Sequence, residues 1–514
     1  MLPMVFEAAI SSGHKALARG AWQDALTEFD RATDARVTPE ALEGLGAARW
    51  WLFDLPGAIS ARERAFNLYK DQGNTAAAAR MALWIASDHH DRGEDAIANG
   101  WLGRAQRLLA ETPASPEHAF CRIIQGHVAL MGAGDLALAE GLAREAVALA
   151  RETSALDYEM LAIALEGLSL VSRGEVTRGM ALLDESTAAA TGGEMTDLNA
   201  IAWACCYLIH ACYRVRDYQR AAQWCDRVQT FCRRWSYDSM FTTCRTHYAS
   251  ILMWRGELDK AEQELTTLRL EAADRLPPLV RSAIVRLGEL RRRQGRLDEA
   301  AELFDRAPEH KLSILGRAAL ALDRNDPEAA RGLLATYLRR LPEENRTERL
   351  PVLELLVQCE LGVGDLDGAA RTVAELRAIA NTLGSEPVKA SAEAAEGLLL
   401  AATGDDDGAR RALEDAVYLF EKNDARYEAD RAKKALQRLA HKTDARGVER
   451  VSRLTRRELE ILKLIAEGLT DREVADRLSI SDHTVHRHVA NILNKTGQSS
   501  RTAAVAFAVR GGFL

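Results

Sequence analysis

The polar side chains with the clearest chemical arrangement in this 514-residue chain lie close to its C-terminus. Val485, Val489 and Ile492 follow the i, i+4, i+7 spacing of one buried helix face. The opposite face then presents a set of polar and small side chains, namely His483, His486, Arg487, Ala490 and Asn494. The planar guanidinium of an arginine such as Arg487 can bind the O6 and N7 atoms of a guanine together. This face therefore suits recognition by hydrogen bonds and charge.

Closely spaced helix starts position this face. Thr455 and Glu458 form a capping box that opens an amphipathic helix, which Gly468 ends. Thr470 and Glu473 form a second capping box, for a short helix through residue 478. The third helix begins after Ser481 and runs to about Thr496 before Gly497 stops it, and a fourth begins at residues 499–501. A short helix, a tight turn and a capped helix with a polar outward face form a helix-turn-helix, whose second helix can enter the major groove.

These residues resemble a LuxR-type DNA-binding domain over about 60 residues without a gap. The matching pieces, in order, are Leu454-Thr455-x-x-Glu458, Ala466-Glu467-Gly468-Leu469-Thr470, Glu473-Val474-Ala475, Leu478-Ser479-Ile480-Ser481, Thr484-Val485-x-x-His488-Val489-x-Asn491-Ile492, Lys495 and Ser500-Arg501. The resemblance implies a four-helix domain at residues 451–514 that binds double-stranded DNA.

The resemblance also implies roles by position. Base-reading side chains fall at three positions of the third helix, His486, Arg487 and Ala490. Four further residues fall where the family approaches phosphates or braces the helix, namely Thr484, Asn491, Lys495 and Arg501. Arg487 is the expected guanine contact, with a phosphate contact as its alternative. His488 is expected to belong to the fold, and the fourth helix, residues 500–510, is similar to the one through which such domains pair on DNA.

The preceding residues carry an internal repeat. Gly13, Gly20, Trp22, Ala25, Phe29 and Ala32 have the same internal spacing as Gly288, Gly295, Leu297, Ala300, Phe304 and Ala307. This pattern resembles the tetratricopeptide (TPR) helical hairpin. Gly20 and Gly295 are placed where the first helix turns into the second, which favours a positive φ. Small residues let the two helices pack closely, and the aromatic residues fill the space between neighbouring hairpins.

The small residue equivalent to Ala25 recurs every 30 to 42 residues. The full set is Ala25, Ala58, Ala98, Ala139, Gly179, Ala221, Ala261, Ala300, Ala330, Ala369 and Ala409. We therefore predict an all-α chain: a TPR-like α-solenoid of about eleven hairpins at residues 1–440, a polar linker at 441–450 and the LuxR-type domain. A solenoid presents a concave surface, here lined mainly by first helices, which suits an unknown protein or small-molecule partner. The alternative is an array that only packs on itself and acts as a spacer.

Charge is unevenly distributed along the chain. Residues 451–514 hold ten Lys and Arg against seven Asp and Glu, a net charge of +3, whereas the whole chain carries −8. A mildly basic module on an acidic body suits a polyanionic partner at the C-terminus only.

Other kinds of site find little support. Six of the eight cysteines lie between Cys205 and Cys244, which permits a thiol sensor but favours buried small residues on helices. No Cys-x-x-Cys occurs, the three histidines at 483–488 suit DNA-facing and packing roles better than metal binding, and Asp88-His89-His90-Asp91 more simply caps a hairpin loop. We therefore expect no metal.

No motif for catalysis or for a cofactor stands out. The phosphate-binding sequence Gly-x-x-x-x-Gly-Lys-Ser/Thr is absent, as are an α/β receiver domain and a nucleophile–base constellation, so no cofactor and no enzymatic activity are expected. The N-terminus is not a signal peptide, and the apolar stretch from Asn199 to Tyr213 is too short for a bilayer and predicts a buried helix. The prediction is a cytoplasmic bacterial transcription regulator, dimeric on DNA, with a TPR scaffold or adaptor protein as the alternative.

Overall fold

The computed structural model describes every residue except 1, 236–237, 273–276, 340, 453 and 511–513. The described residues form 27 α-helices, and none of them lies in a β-strand, which confirms the all-α prediction. A five-residue π-helical turn at Ala129–Ala133 follows the seventh helix.

The helices alternate with short turns along the chain. The first twelve are α1 (Leu2–Ala18), α2 (Trp22–Ala35), α3 (Pro39–Trp51), α4 (Leu55–Asp71), α5 (Thr75–Asp91), α6 (Asp95–Leu109), α7 (Pro116–Val128), α8 (Leu136–Glu152), α9 (Leu156–Arg173), α10 (Val176–Gly192), α11 (Leu198–Val215) and α12 (Tyr218–Trp235). The next eleven are α13 (Asp238–Trp254), α14 (Leu258–Ala272), α15 (Pro277–Arg293), α16 (Leu297–Asp305), α17 (Lys311–Asp323), α18 (Pro327–Leu338), α19 (Arg346–Val363), α20 (Leu366–Leu383), α21 (Glu386–Thr403), α22 (Asp406–Lys422) and α23 (Arg426–Ser452). The last four are α24 (Arg456–Ala466), α25 (Asp471–Leu478), α26 (Asp482–Thr496) and α27 (Arg501–Arg510).

Helices α1 to α22 pair consecutively into eleven hairpins. Each of the eleven small residues from Ala25 to Ala409 lies in the second helix of one hairpin and is buried. A small side chain at this position lets the second helix approach the first closely, so the recurring alanine has a packing reason.

At two places in the array, a phenylalanine ring packs in the same way between one hairpin and the next. Phe29 of α2 is fully buried, and a Cβ atom built on Gly13 of α1 would lie 2.8 Å from its ring. Phe304 of α16 is likewise fully buried, and a Cβ atom on Gly288 of α15 would lie 2.7 Å from that ring. A Cβ atom built on the glycine of the following hairpin, Gly44 or Gly316, would lie still closer to the same ring. Glycine is therefore required on both sides of each phenylalanine.

In the turns within hairpins, glycine adopts a positive φ and aspartate caps the next helix. Gly20 and Gly295 have φ values of 72° and 78°, as the repeat pattern predicts. Gly364 has a φ of 80°, and the carboxylate of the next residue, Asp365, accepts a hydrogen bond from the backbone N–H of Gly368 at 2.9 Å. The glycine ends one helix and the aspartate caps the next, which fixes the angle between them.

The array coils back on itself in its middle. Helix α19 contacts both α9 and α11, although these helices are more than a hundred residues apart in sequence. The guanidinium of Arg214 lies 2.8 Å from the carboxylate of Glu348, and that of Arg216 lies 2.6 Å from the carboxylate of Glu354. Charged pairs therefore join the sixth hairpin to the tenth.

The apolar stretch predicted as a buried helix is α11, most of whose residues are buried. Cys205 and Cys212 of this helix, and Cys225 and Cys232 of α12, are buried, whereas Cys206 is disulfide-bonded. Within the described part of the chain, no helix combines the length and apolarity needed to cross a bilayer.

Residues 441–450, predicted as a polar linker, lie inside the 27-residue helix α23, and residues 426–452 contain no proline that would interrupt it. Helix α23 also contacts α26 and α27, so it connects the array to the C-terminal domain.

Candidate nucleic-acid interface

Two capping boxes set the directions of the first helices of the C-terminal domain. The backbone N–H of Thr455 donates to Glu458 at 2.7 Å, and the backbone N–H of Glu458 donates to the Thr455 hydroxyl at 3.2 Å. Thr470 and Glu473 repeat the arrangement at 2.7 and 3.4 Å. Both helices begin where the capping pattern predicts, because each box satisfies donors that a helix N-terminus leaves free.

The tight turn before α26 depends on Ser479. This residue ends α25 in the left-handed conformation, with φ 54° and ψ 47°. The Ser481 hydroxyl then accepts a hydrogen bond from the backbone N–H of Thr484 at 3.2 Å and so caps α26. Gly497, with a φ of 69°, ends the helix at the predicted position.

Helix α26 packs on the domain core through one face. Val485 and Ile492 are buried against α24 and α25, and Val489 packs partly buried beside them. The opposite face carries exposed side chains, namely His483, His486, Arg487, Ala490, Asn491 and Asn494. The helical periodicity of the sequence therefore places the polar set correctly on the outer surface.

Of the residues expected to meet phosphates, Lys495 has a partner inside the domain. Its ammonium lies 2.6 Å from the carboxylate of Glu458, whose side chain is only 3% exposed. Burial opposes ionisation of Glu458, but the hydrogen bonds from Lys495 and Thr455 outweigh it, so the pKa of Glu458 is lowered. The pair ties the C-terminal end of α26 to the first turn of α24.

Arg501 has a similar bracing arrangement. Its guanidinium lies 3.0 Å from the carboxylate of Asp471 and donates to the carbonyl oxygen of Leu469 at 2.7 Å. The other carboxylate oxygen of Asp471 lies 3.6 Å from Nδ1 of the exposed His486. Asp471 thus joins the start of α25 to both α26 and α27.

Residues 452–508 match the family model described as "Bacterial regulatory proteins, luxR family". This segment is a LuxR-family helix-turn-helix domain. The chain is 42% identical over 98 residues to the transcriptional regulatory protein LiaR of Bacillus subtilis, a match that covers 19% of this chain and 46% of LiaR. It is 43% identical over 61 residues to DegU of Brevibacillus brevis, covering 12% of this chain and 26% of DegU. The matches thus take in less than half of each relative.

Two solved structures resemble this chain at low sequence identity. The Cut9–Hcn1 hetero-tetramer of the APC/C gives a TM-score of 0.43 at 14% identity, covering 98% of this chain and 96% of that chain. Yeast Tom70 gives a TM-score of 0.36 at 15% identity, covering 86% of this chain and 99% of Tom70.

Sequence reasoning missed the ion pairs by which two acids, Glu458 and Asp471, connect helices of the LuxR-family domain. Glu458 was predicted as a capping residue, but its second role, as the partner of Lys495, joins residues 37 positions apart. Asp471 carries no sequence signal beyond its place in the first turn of α25. Arg457 was not singled out either, yet it donates to the carbonyl oxygen of Leu478 at 2.9 Å and so ties α24 to the end of α25.

The side chains of Asp88, His89 and His90 form ion pairs within the chain. His89 pairs with Glu94 at 2.6 Å and His90 pairs with Asp95 at 2.9 Å, each across the turn between α5 and α6. Asp88 is fully buried beside the guanidinium of Arg62. The described residues contain no group of three or more side chains that could hold a metal ion.

Proposed function

We propose that this chain is a sequence-specific DNA-binding transcription regulator in which the helical array senses or recruits a partner. The observation that carries the proposal is the exposed face of α26 in a domain that matches the LuxR family. A capped helix with a free polar face, preceded by a short helix and a tight turn, has the geometry for lying in a major groove.

The proposed contacts divide into base reading and positioning. His486, Arg487 and Ala490 lie on the exposed face and read bases, with Arg487 as the guanine contact. Thr484 and Asn491 flank this face and approach phosphates. Lys495 and Arg501 also approach phosphates, in addition to bracing the domain through their ion pairs with Glu458 and Asp471.

A dimer on DNA is part of the proposal. Helix α27 carries the exposed Val509 and lies at the surface of the domain, where a second copy can pair with it. Two paired domains would place two copies of α26 on a two-fold or tandem site. We place the regulator in the cytoplasm, where both DNA and a partner are accessible.

The array, residues 1–440, is proposed to bind an effector, either a protein or a small molecule, on its inner surface. An effector changes DNA binding only if it favours one of two arrangements of the C-terminal domains. Helix α23 is the natural element for such coupling, because it continues from the array to residue 452 and contacts α26 and α27.

An interaction scaffold is the second candidate function. Two of the cations proposed to approach phosphates, Lys495 and Arg501, are paired with Glu458 and Asp471, which reduces the charge available to DNA. In this case the LuxR-family domain would bind another protein and not DNA.

Genomic DNA capture with the full-length protein separates the two functions. The wild type, Arg487→Ala and the control Arg410→Ala on α22 are compared by sequencing the bound fragments. A regulator gives enriched fragments that share a motif, retained by Arg410→Ala and lost in Arg487→Ala. Absence of enrichment for all three proteins, or enrichment that is indifferent to Arg487, would instead support the scaffold.

A further inference from the structure

A cavity of about 120 Å³ lies on the inner surface in the middle of the array. Its walls come mostly from the first helices of five consecutive hairpins, α11, α13, α15, α17 and α19. The ion pair between Arg214 of α11 and Glu348 of α19 joins the two ends of this set. The coiling of the array therefore brings helices from the two ends of this set together around one cavity.

The cavity contains more positive than negative charge. Arg214, Arg286 and Lys311 line it together with one carboxylate, that of Glu348. A single oxygen of Glu348 accepts from Arg214 at 2.8 Å and from Lys311 at 2.9 Å. A fourth cation at the wall, Arg216, has its own partner in Glu354. The carboxylate of Glu348 is thus shared by two cations, and among the described residues no carboxylate pairs with the third.

The cation without a counter-charge is Arg286. It is 5% exposed, and its guanidinium donates to the Ser250 hydroxyl at 3.0 Å and lies 3.4 Å from Nδ1 of His247. Its guanidinium also donates to the hydroxyl of Ser282, and within the described chain no carboxylate forms an ion pair with it. A guanidinium stays charged even when buried, so burying it without an anion opposes folding.

Two buried histidines sit among these cations. Burial, followed by the charges of Arg286, Lys311 and Arg214, lowers the pKa of His247 well below its ordinary value. Burial, followed by the charge of Arg214, likewise lowers the pKa of His210 well below its ordinary value, and its Nε2 accepts a hydrogen bond from Arg214 at 2.7 Å. His210, His247 and the three cations line the same cavity.

The other wall of the cavity is apolar and contains one polar atom without a partner. Leu312, Leu315, Tyr337 and Leu350 supply the apolar surface. Thr347 also lines the cavity, is 3% exposed, and its hydroxyl has no hydrogen-bond partner within the described residues. A buried hydroxyl ordinarily has a partner, so this one points to a missing ligand.

We propose that this cavity binds a small organic anion, a carboxylate or phosphate ester that carries a short apolar or aromatic group. The anionic oxygens contact Arg286 and Lys311, the Thr347 hydroxyl donates to one of them, and the apolar group lies against Leu312 and Tyr337. Such a ligand supplies the counter-charge that Arg286 lacks. Only the consequence that this anion is the effector rests on the proposed function, since binding to the array is independent of DNA.

Calorimetry and thermal unfolding of the full-length protein test the site with defined probes. Benzoate and phenyl phosphate supply the two kinds of anion, and benzamide is the neutral control of the same shape. We expect a saturable rise in unfolding temperature with at least one anion at millimolar concentration and none with benzamide. Equal effects of benzamide and benzoate, or no effect of either anion, would overturn the proposal.

Variants locate the binding. Arg286→Met and Lys311→Met each remove one cation, and we expect each to weaken anion binding by about tenfold or more, because each loses a charge contact with the anion. Lys311 is 43% exposed, so its replacement preserves the fold even if that of Arg286 does not. Lys260→Met is the control, since Lys260 is 69% exposed and pairs with Glu257 on α14, outside the cavity. Unchanged binding in Lys311→Met would contradict the proposal.

DNA binding of the same samples is measured separately. Anion binding without DNA binding would contradict the proposed regulator and leave the anion site standing. DNA binding without anion binding would contradict the anion site and leave the proposed regulator standing.

Discussion

The ammonium of Lys495 on α26 lies 2.6 Å from a carboxylate oxygen of Glu458, the residue that also caps α24. Glu458 therefore serves two elements at once, the start of the first helix and the end of the helix with the exposed polar face. The orientation of α26 on the domain depends on this pair as well as on the buried contacts of Val485 and Ile492.

Replacing Lys495 destabilises the LuxR-family domain. In Lys495→Ala the buried carboxylate of Glu458 loses its counter-charge, and we expect the free energy of unfolding to fall by about 1–3 kcal/mol. Hydrogen–deuterium exchange of peptides from α24 to α26 measures the change. Lys463→Ala, an exposed lysine on α24, is the control and should leave exchange unaltered. Equal protection in both variants would show that the pair contributes nothing to stability.

The same carboxylate makes the domain sensitive to acid. The pKa of Glu458 is lowered from its ordinary value of 4.5, so the folded state favours the ionised form. Its stabilising contribution is complete above that value and is lost as the pH falls through the lowered pKa. Glu458→Gln should therefore weaken the domain near neutral pH and reduce its further loss of stability in acid.

Denaturation at a series of pH values compares Glu458→Gln with Glu467→Gln, which changes an exposed carboxylate just beyond the same helix. Parallel pH profiles for the wild type and Glu458→Gln would contradict this linkage.

Two glycines of neighbouring helices should respond oppositely to alanine. Gly316 of α17 packs against the fully buried ring of Phe304, so Gly316→Ala overpacks the contact and costs about 1–3 kcal/mol. Gly332 of α18 has open space at its Cβ position, so Gly332→Ala should stabilise the array by about 0.5–1 kcal/mol through helix propensity. Urea denaturation followed by circular dichroism measures both, and changes of the same sign would contradict the packing.

The turn before α26 carries a strained residue. Ser479 has a φ of 54°, a conformation that glycine adopts more easily than serine. We expect Ser479→Gly to stabilise the domain by about 0.5–1 kcal/mol, the relief of the left-handed backbone less the entropy of a glycine in the unfolded chain. Ser499→Gly, at a residue without positive φ, should not stabilise. Thermal unfolding of the two variants makes the comparison, and a loss of stability in Ser479→Gly would contradict it.

The starts and ends of the C-terminal helices could be predicted because their signals are local. A capping box such as Thr455 with Glu458 spans three residues, and Gly497 ends α26 through its own backbone conformation. The regular recurrence of small residues likewise predicted hairpins, since each hairpin needs close helix contact at the same position. Polarity at residues 441–450 predicts a linker but not its backbone conformation, which is helical in α23.

What the sequence determined by itself is a repeated helical hairpin followed by a helix-turn-helix with a polar outer face, because helix periodicity, caps and turn residues act over a few positions. The tertiary structure alone decided which charges meet. Arg214 and Glu348 are 134 residues apart and pair because the array coils back on itself. No local pattern encodes the distance between residues on different hairpins, since that distance depends on how each hairpin is rotated against the next.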